Sequence, residues 1–276
     1  MSLRINHNLA SLNGHRNMVK NDAAVSKSLE KLSSGLKINR AADNAAGLVI
    51  SEQMRAQLGG IKQAMNNTEQ AVTMVQTAEG ALDEMNTLLS KVKSLALHAL
   101  NSGVSDAAQR DADNSEYQNI LSSVDRIVNQ TRFAGQVLLD GTFSTTAARF
   151  QVGEQATDSV NLTISNVGTT ALSINGTTVS TVAGATSVLT QVSAAINTVT
   201  NLRGTLGAFQ SNTLETGLRS LSVTHENLTA AESVIRDVDF AEESSMFTKN
   251  QILVQSATAM LAQANQLPQS VLKLLG

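Results

Sequence analysis

The chain has 276 residues, of which 42% are hydrophobic but only 3% aromatic, with one tyrosine and no tryptophan. The apolar mass is Ala, Leu, Val, Ile and Met, which suits narrow helix–helix seams better than a wide globular core. Net charge is −3, with seven basic against two acidic residues in 1–40 giving +5 there and −8 elsewhere; the basic arm lacks the clustering and aromatic interleaving of a nucleic-acid surface, so no nucleic-acid partner is expected.

Residues 3–33 read as a helix. Ile5, Leu9, Leu12, Val19 and Ala23 follow a 4-3 rhythm with Arg16 in the missing slot, and Val25, Leu29, Leu32 and Leu36 continue it after a phase slip. That is a coiled-coil seam with a polar interruption, too narrow to fold without a partner helix. Residues 36–55 read as a joint. Gly35 suits the left-handed end of one helix, Asp43-Asn44 the start of another, and the run Ala41 to Gly47 permits close backbone approach.

Residues 56–100 read as the longest helix. Its stripe is Leu58, Ile61, Met65, Val72 and Val75, then Ala78, Leu82, Met85, Leu89, Val92, Ala96 and Ala99. Thr68 occupies one slot, and the step from Val75 to Ala78 is a stammer. Asn101-Ser102-Gly103 stops the helix, and Ser105 or Asp106 caps another to about Gln130, striped by Tyr117, Leu121, Val124 and Val128. The short connection implies antiparallel neighbours.

From residue 131 to 186 charges thin out and Thr, Ser, Asn, Gly and Val dominate. Arg149 to Val152 and Val160 to Ile164 alternate as strands do, around a turn at Gly153 to Asp158. A second hairpin is expected over 171–182, with Asn175-Gly176 as a type I′ turn. Residues 187–235 are helical again, marked by Val192, Ile196, Val199, Leu202, Leu206 and Phe209, then Leu218, Leu221, His225, Leu228 and Ile235. Residues 238–275 carry the cleanest pattern, with Met246, Asn250, Leu253, Ala257, Met260, Ala264, Leu267, Val271 and Leu274 at regular spacing. The fold class is therefore mainly α with a small β lobe, its long coiled-coil-like N- and C-terminal helices paired.

No catalytic, cofactor or metal constellation emerges. His7, His15, His98 and His225 are scattered, with no HExxH pair, no Gly-x-Ser-x-Gly elbow and no phosphate loop after Gly59-Gly60. Asp237, Asp239, Glu242 and Glu243 read as favourable charge at a helix N-terminus. The stretch from Met1 to His7 has no apolar core of a signal peptide, no run of 18 apolar residues exists, and cysteine is absent. The expectation is a chain without a cleaved signal peptide or membrane insertion, either cytosolic or leaving the cell unfolded.

The run Leu32-Ser33-Ser34-Gly35-Leu36-Lys37-Ile38-Asn39-Arg40-Ala41-Ala42-Asp43-Asn44-Ala45-Ala46-Gly47-Leu48 closely resembles the N-terminal signature of bacterial flagellin. The stretch Asn265 to Gly276, with Pro268 close to the end, resembles that family's C-terminus. The resemblance spans most of the chain and implies a short flagellin without large outer domains: an extracellular homo-polymer for swimming, not an enzyme. It implies paired terminal helices at 1–35 and 238–276, a joint at 36–55 and 234–238, a helical rod at 56–130 and 187–235, and a hairpin lobe at 131–186.

The polymerisation seam so implied is Ile5, Leu9, Leu12, Leu29, Leu32, Leu253, Ala257, Met260, Ala264, Leu267, Val271 and Leu274, and the joint residues are Gly35, Asn39, Arg40, Asp43 and Gly47. Partners implied are an export chaperone, junction proteins and a cap protein. Some flagellins meet a vertebrate innate receptor through a surface matching Lys91, Leu95 and Glu116. The recognised forms usually carry Gln-Arg where this chain has Ser90-Lys91, and a lysine point charge does not replace arginine's fork. The same surface also reads as an inter-subunit face. Alternative functions are the hook–filament junction protein and, from another class, a coiled-coil enzyme or regulator.

Overall fold

A computed structural model describes residues 7–103 and 105–275, with side chains as far as 266. Helix α1 spans Leu9–Ser34. The Asn8 side chain caps its first turn by accepting from the Ser11 N–H at 3.0 Å. Gly35 ends it at φ +73°, donating its N–H to the Lys31 carbonyl. Only glycine takes that left-handed conformation without strain.

Helix α2 runs Ala45–Leu100, so it begins well before residue 56, where the joint was expected to end. The Ala-rich run after Asn44 is helix rather than linker, because Asn44 caps it by accepting from the Gly47 N–H at 2.9 Å and alanine is the best helix former. Helix α3 spans Ala107–Gln130 behind a capping box of Asp106 and Gln109.

The lobe follows. Strands β1 (Arg132–Phe133) and β2 (Gln136–Val137) pair around Ala134 and Gly135, both at positive φ. A single turn, α4 (Thr142–Thr145), leads to β3 (Ala148–Gln151) and β4 (Ser159–Leu162), antiparallel with Ala148 opposite Leu162. The second expected hairpin does not form. Residues 168–179 close local turns instead, with Leu172 and Ile174 N–H groups donating to Gly168 and Thr169 carbonyls. The Ile174 carbonyl is taken by the hydroxyls of Tyr117 and Thr177 rather than by a partner strand.

Helix α5 spans Val182–Phe209, starting five residues before the expected position because the Thr181 hydroxyl caps it. A π-helical turn, Gln210–Glu215, joins it to α6, Thr216–Arg236. The reason lies in the apolar rhythm. Inward apolar positions advance by three and four to buried Leu206 and half-buried Phe209, then by five to buried Leu214, before resuming. One extra residue in the stripe is absorbed as a π-bulge. Helix α7 runs Phe240–Leu275.

The chain forms two compact units, one of residues up to Ala56 with those from Asn227 on, the other Gln57–Glu226. The second holds the core. Val75, Ala78, Leu82, Met85, Leu89, Val92 and Ala96 of α2 pack with Tyr117, Leu121, Val124 and Val128 of α3 and with Val188, Val192, Val199 and Leu206 of α5. Thr68, polar in that stripe, is buried without penalty because its hydroxyl donates to the Ala64 carbonyl at 2.7 Å.

Candidate functional site: the joint and the terminal helices

The terminal unit pairs α1 with α7 antiparallel. Asn8 Nδ2 donates to the Ala264 carbonyl at 2.8 Å, and at the other end Lys31 Nζ meets Glu243 Oε2 at 3.1 Å. Between them a methyl group on Gly14 would lie 3.3 Å from Leu261 Cδ1, so the helices approach closely there. The facing residues of α1 are Ser11, Gly14, Met18, Asn21, Val25 and Ser28; those of α7 are Glu243, Phe247, Asn250, Val254, Ala257, Leu261 and Ala264.

The apolar seam expected from spacing is therefore divided. Ala257 and Ala264 are half-buried in the pairing, and Leu32 is half-buried in the last turn of α1. Leu9, Leu12 and Val19, however, are 55–61% exposed and Met260 is 67% exposed, and Leu29 and Leu253 are also turned to solvent. Ser11, Gly14, Asn21 and Ser28 share the interface with Met18, Val25, Phe247, Val254 and Leu261, while Leu9, Leu12, Val19 and Leu29 stand outside it. Ile5 and the side chains of Leu267, Val271 and Leu274 lie outside the described residues.

The joint is a hydrogen-bonded loop built by the residues that the signature singled out. Asn39 Nδ2 donates to Ser34 Oγ at 2.8 Å. Asp43 Oδ2 accepts the N–H groups of Asn39 and Arg40 at 3.3 and 3.1 Å, while its other oxygen pairs with Lys27 Nζ at 2.7 Å. The hydrogen bond from Lys27, with the two backbone donors, holds the Asp43 carboxyl below the usual range, and the same contact raises the Lys27 ammonium. Arg40 Nε reaches Glu30 at 2.9 Å. At Gly47 a Cβ would sit 2.7 Å from Ile38 Cδ1 and 2.9 Å from Asn44 Nδ2. A side chain there would have to displace both, so glycine serves the joint by space rather than by dihedral freedom.

The returning strand of the joint adds what spacing missed. Leu36 bridges Asp237 antiparallel, with the Lys37 N–H donating to the Arg236 carbonyl at 2.6 Å and the Val238 N–H to the Gly35 carbonyl at 3.0 Å. Arg236 is buried, and its Nη1 meets Glu52 Oε1 at 2.5 Å, which lowers the Glu52 pKa through that hydrogen bond. Asp239 caps α7, accepting from Ala241 and Glu242. Glu243 is more than helix-terminal charge. It is 4% exposed and is the carboxylate that Lys31 neutralises. No local pattern marks Lys27, Lys31, Glu52 or Arg236, because their partners lie across the fold.

In the other unit, Lys91 and Glu116 form an ion pair of 2.6 Å between α2 and α3, with Leu95 half-buried nearby in sequence. Among the described residues no three of His, Cys, Asp and Glu gather to hold a metal ion, and no helix is long and apolar enough to cross a membrane.

Residues 5–144 match the model of the bacterial flagellin N-terminal helical region, and 189–275 that of the C-terminal helical region. The chain is 43% identical to a flagellin of Bacillus subtilis (strain 168), covering 99% of this chain and all of that one. It is 38% identical to flagellin FlaB2 of Treponema pallidum (strain Nichols), over 98% and 99%. The crystal structure of Bacillus cereus flagellin superposes with a TM-score of 0.51 at 25% identity, over 60% of this chain and 94% of that one. A putative flagellar hook-associated protein of Vibrio parahaemolyticus, at a TM-score of 0.59 and 14% identity, shares the fold.

Proposed function

The chain belongs to the bacterial flagellin family and is a structural subunit of the flagellar filament, and from that premise we propose which of its residues build the polymer. The polymerising surface is the outward apolar face of the terminal helices: Leu9, Leu12, Val19 and Leu29 of α1 with Leu253 and Met260 of α7. Ile5, Leu267, Val271 and Leu274 extend it by spacing. Ala257 and Ala264 serve the inner pairing, and Leu32 the last turn of α1. The observation that carries this reading is the exposure of Leu9, Leu12, Val19 and Met260 at 55–67% in the single chain. A row of exposed aliphatic side chains marks a surface that another protein covers, and burial returns roughly 25 cal/mol per Å².

The joint around Gly35, Asn39, Arg40, Asp43 and Gly47 acts as the spoke between the terminal pair, 1–35 with 238–276, and the rod and lobe. The protein takes its place in an extracellular filament, with a chaperone, junction proteins and a cap protein as partners. It has no enzymatic role. Lys91, Leu95 and Glu116 form an inter-subunit face: Lys91 is already satisfied by Glu116, and it lacks the planar fork of the receptor-recognised forms.

The test is assembly of Leu12→Lys and Met260→Lys. Both substitutions fall on exposed positions, so the monomers should keep wild-type helix content by circular dichroism. Seeded polymerisation followed by electron microscopy should show few or no filaments. Filaments of normal length and number from both variants would remove this face from the polymer interface.

A further inference from the structure

Residues 168–179 are tied to α3 along their length. Asp125 accepts from the Thr169 N–H at 3.0 Å and from its hydroxyl at 2.8 Å. Tyr117 Oη donates to the Ile174 carbonyl at 2.8 Å, Gln118 Nε2 to the Thr177 carbonyl at 3.1 Å, and Asn114 Oδ1 accepts from the Val179 N–H at 3.1 Å. Ile174 is fully buried. Between these ties Asn175 and Gly176 stand exposed. Gly176 has φ +77°, and nothing lies within 4 Å of where a Cβ would be. Among the described residues its N–H finds no hydrogen-bond acceptor. The Asn175 side-chain amide has a single long contact, Nδ2 to Thr170 Oγ1 at 3.4 Å.

This is an unhindered backbone nitrogen four bonds from the amide carbon of a loosely held side chain, the spacing that closes a five-membered ring. We propose that Asn175 is a site of spontaneous deamidation. The Gly176 nitrogen loses its proton to water or hydroxide and attacks Asn175 Cγ. The new C–N bond closes a five-membered succinimide, and the side-chain nitrogen leaves as ammonia. One water then opens the ring at either carbonyl, giving aspartate or isoaspartate. No electrons change hands. Isoaspartate also lengthens the main chain directly after Ile174, where Tyr117 grips the carbonyl.

The chain contains its own control. Asn13-Gly14 is the same dipeptide, but it lies inside α1, where the helical ladder engages the Gly14 N–H and Leu261 packs against the glycine. A nitrogen held in a helix must first unfold to attack, so its rate falls with the opening equilibrium.

The full chain is incubated in mildly alkaline buffer for days, folded and in urea, and both peptides are followed by mass spectrometry and isoaspartyl methyltransferase labelling. In urea the two asparagines should convert at comparable rates. In the folded chain Asn175 should keep most of its unfolded rate, rising with pH, while Asn13 slows severalfold or more. Asn175→Gln, which cannot form the five-membered ring, and Gly176→Ala, which shields the nitrogen, should each suppress the methyltransferase signal from this peptide. Folding that protects Asn175 as strongly as Asn13, or a signal that survives Asn175→Gln, overturns the assignment.

Discussion

Gly47→Ala is a one-carbon test of how tightly the joint is built. The added Cβ would stand 2.7 Å from Ile38 Cδ1 and 2.9 Å from Asn44 Nδ2, and Ile38 is only 4% exposed. Alanine gains about 0.8–1 kcal/mol in helix propensity. Against that, displacing the Asn44 cap costs about 1 kcal/mol, and overpacking at a buried isoleucine about 1–3 kcal/mol. The net expectation is a loss of about 1–3 kcal/mol localised to the start of α2. Native-state hydrogen exchange over residues 45–51 reads it directly, since each 1.4 kcal/mol is about a tenfold loss of protection where the opening is local. The comparison with Gly14→Ala is informative. That Cβ meets only the far end of Leu261 at 3.3 Å, so the propensity gain should leave α1 as stable as before or more so. Gly35→Ala falls between, because φ +73° costs an L-residue about 1–2 kcal/mol, partly offset by about 0.4–1 kcal/mol from a stiffer unfolded chain. Wild-type protection in Gly47→Ala would refute the reasoning, because it would mean that Ile38 and Asn44 yield without cost.

Two further outcomes concern the ion pair of the joint and the π-turn. The Asp43 carboxyl is held low and Lys27 is held high, so their contribution is complete between the two ordinary pKa values. It fades as pH falls through the folded value of Asp43, or rises through that of Lys27; joint protection should follow that profile in hydrogen exchange, and Asp43→Asn should abolish the acid limb. Deleting Asn212, exposed within the π-turn, should return that segment to α-helix with Leu214 still inward and no loss of thermal stability, and a drop of several degrees in Tm would show that the bulge supports packing rather than merely absorbing a residue.

Features set by near neighbours in the chain were legible from residues alone. The left-handed stop at Gly35, the Asn44 start, the Asp106 cap and the buried stripes of α2 and α3 each depend on spacing or on a side chain reaching its own backbone three residues on. The flagellin signatures at both ends added the family. What spacing could not assign was the partner of each stripe. A 4-3 rhythm marks an apolar face but not what covers it, and the α1–α7 pairing sets glycine, serine, asparagine and alanine among its apolar residues, short side chains that allow close approach and carry little hydropathy signal. Likewise Lys31 with Glu243 and Arg236 with Glu52 join residues about two hundred positions apart. The 171–182 segment shows the converse. Asn175-Gly176 satisfies the local rule for a hairpin, but Tyr117 and Thr177 occupy the Ile174 carbonyl that a partner strand would need. A turn signal limits the backbone to a few conformations, and the competition for hydrogen bonds across the folded chain selects among them.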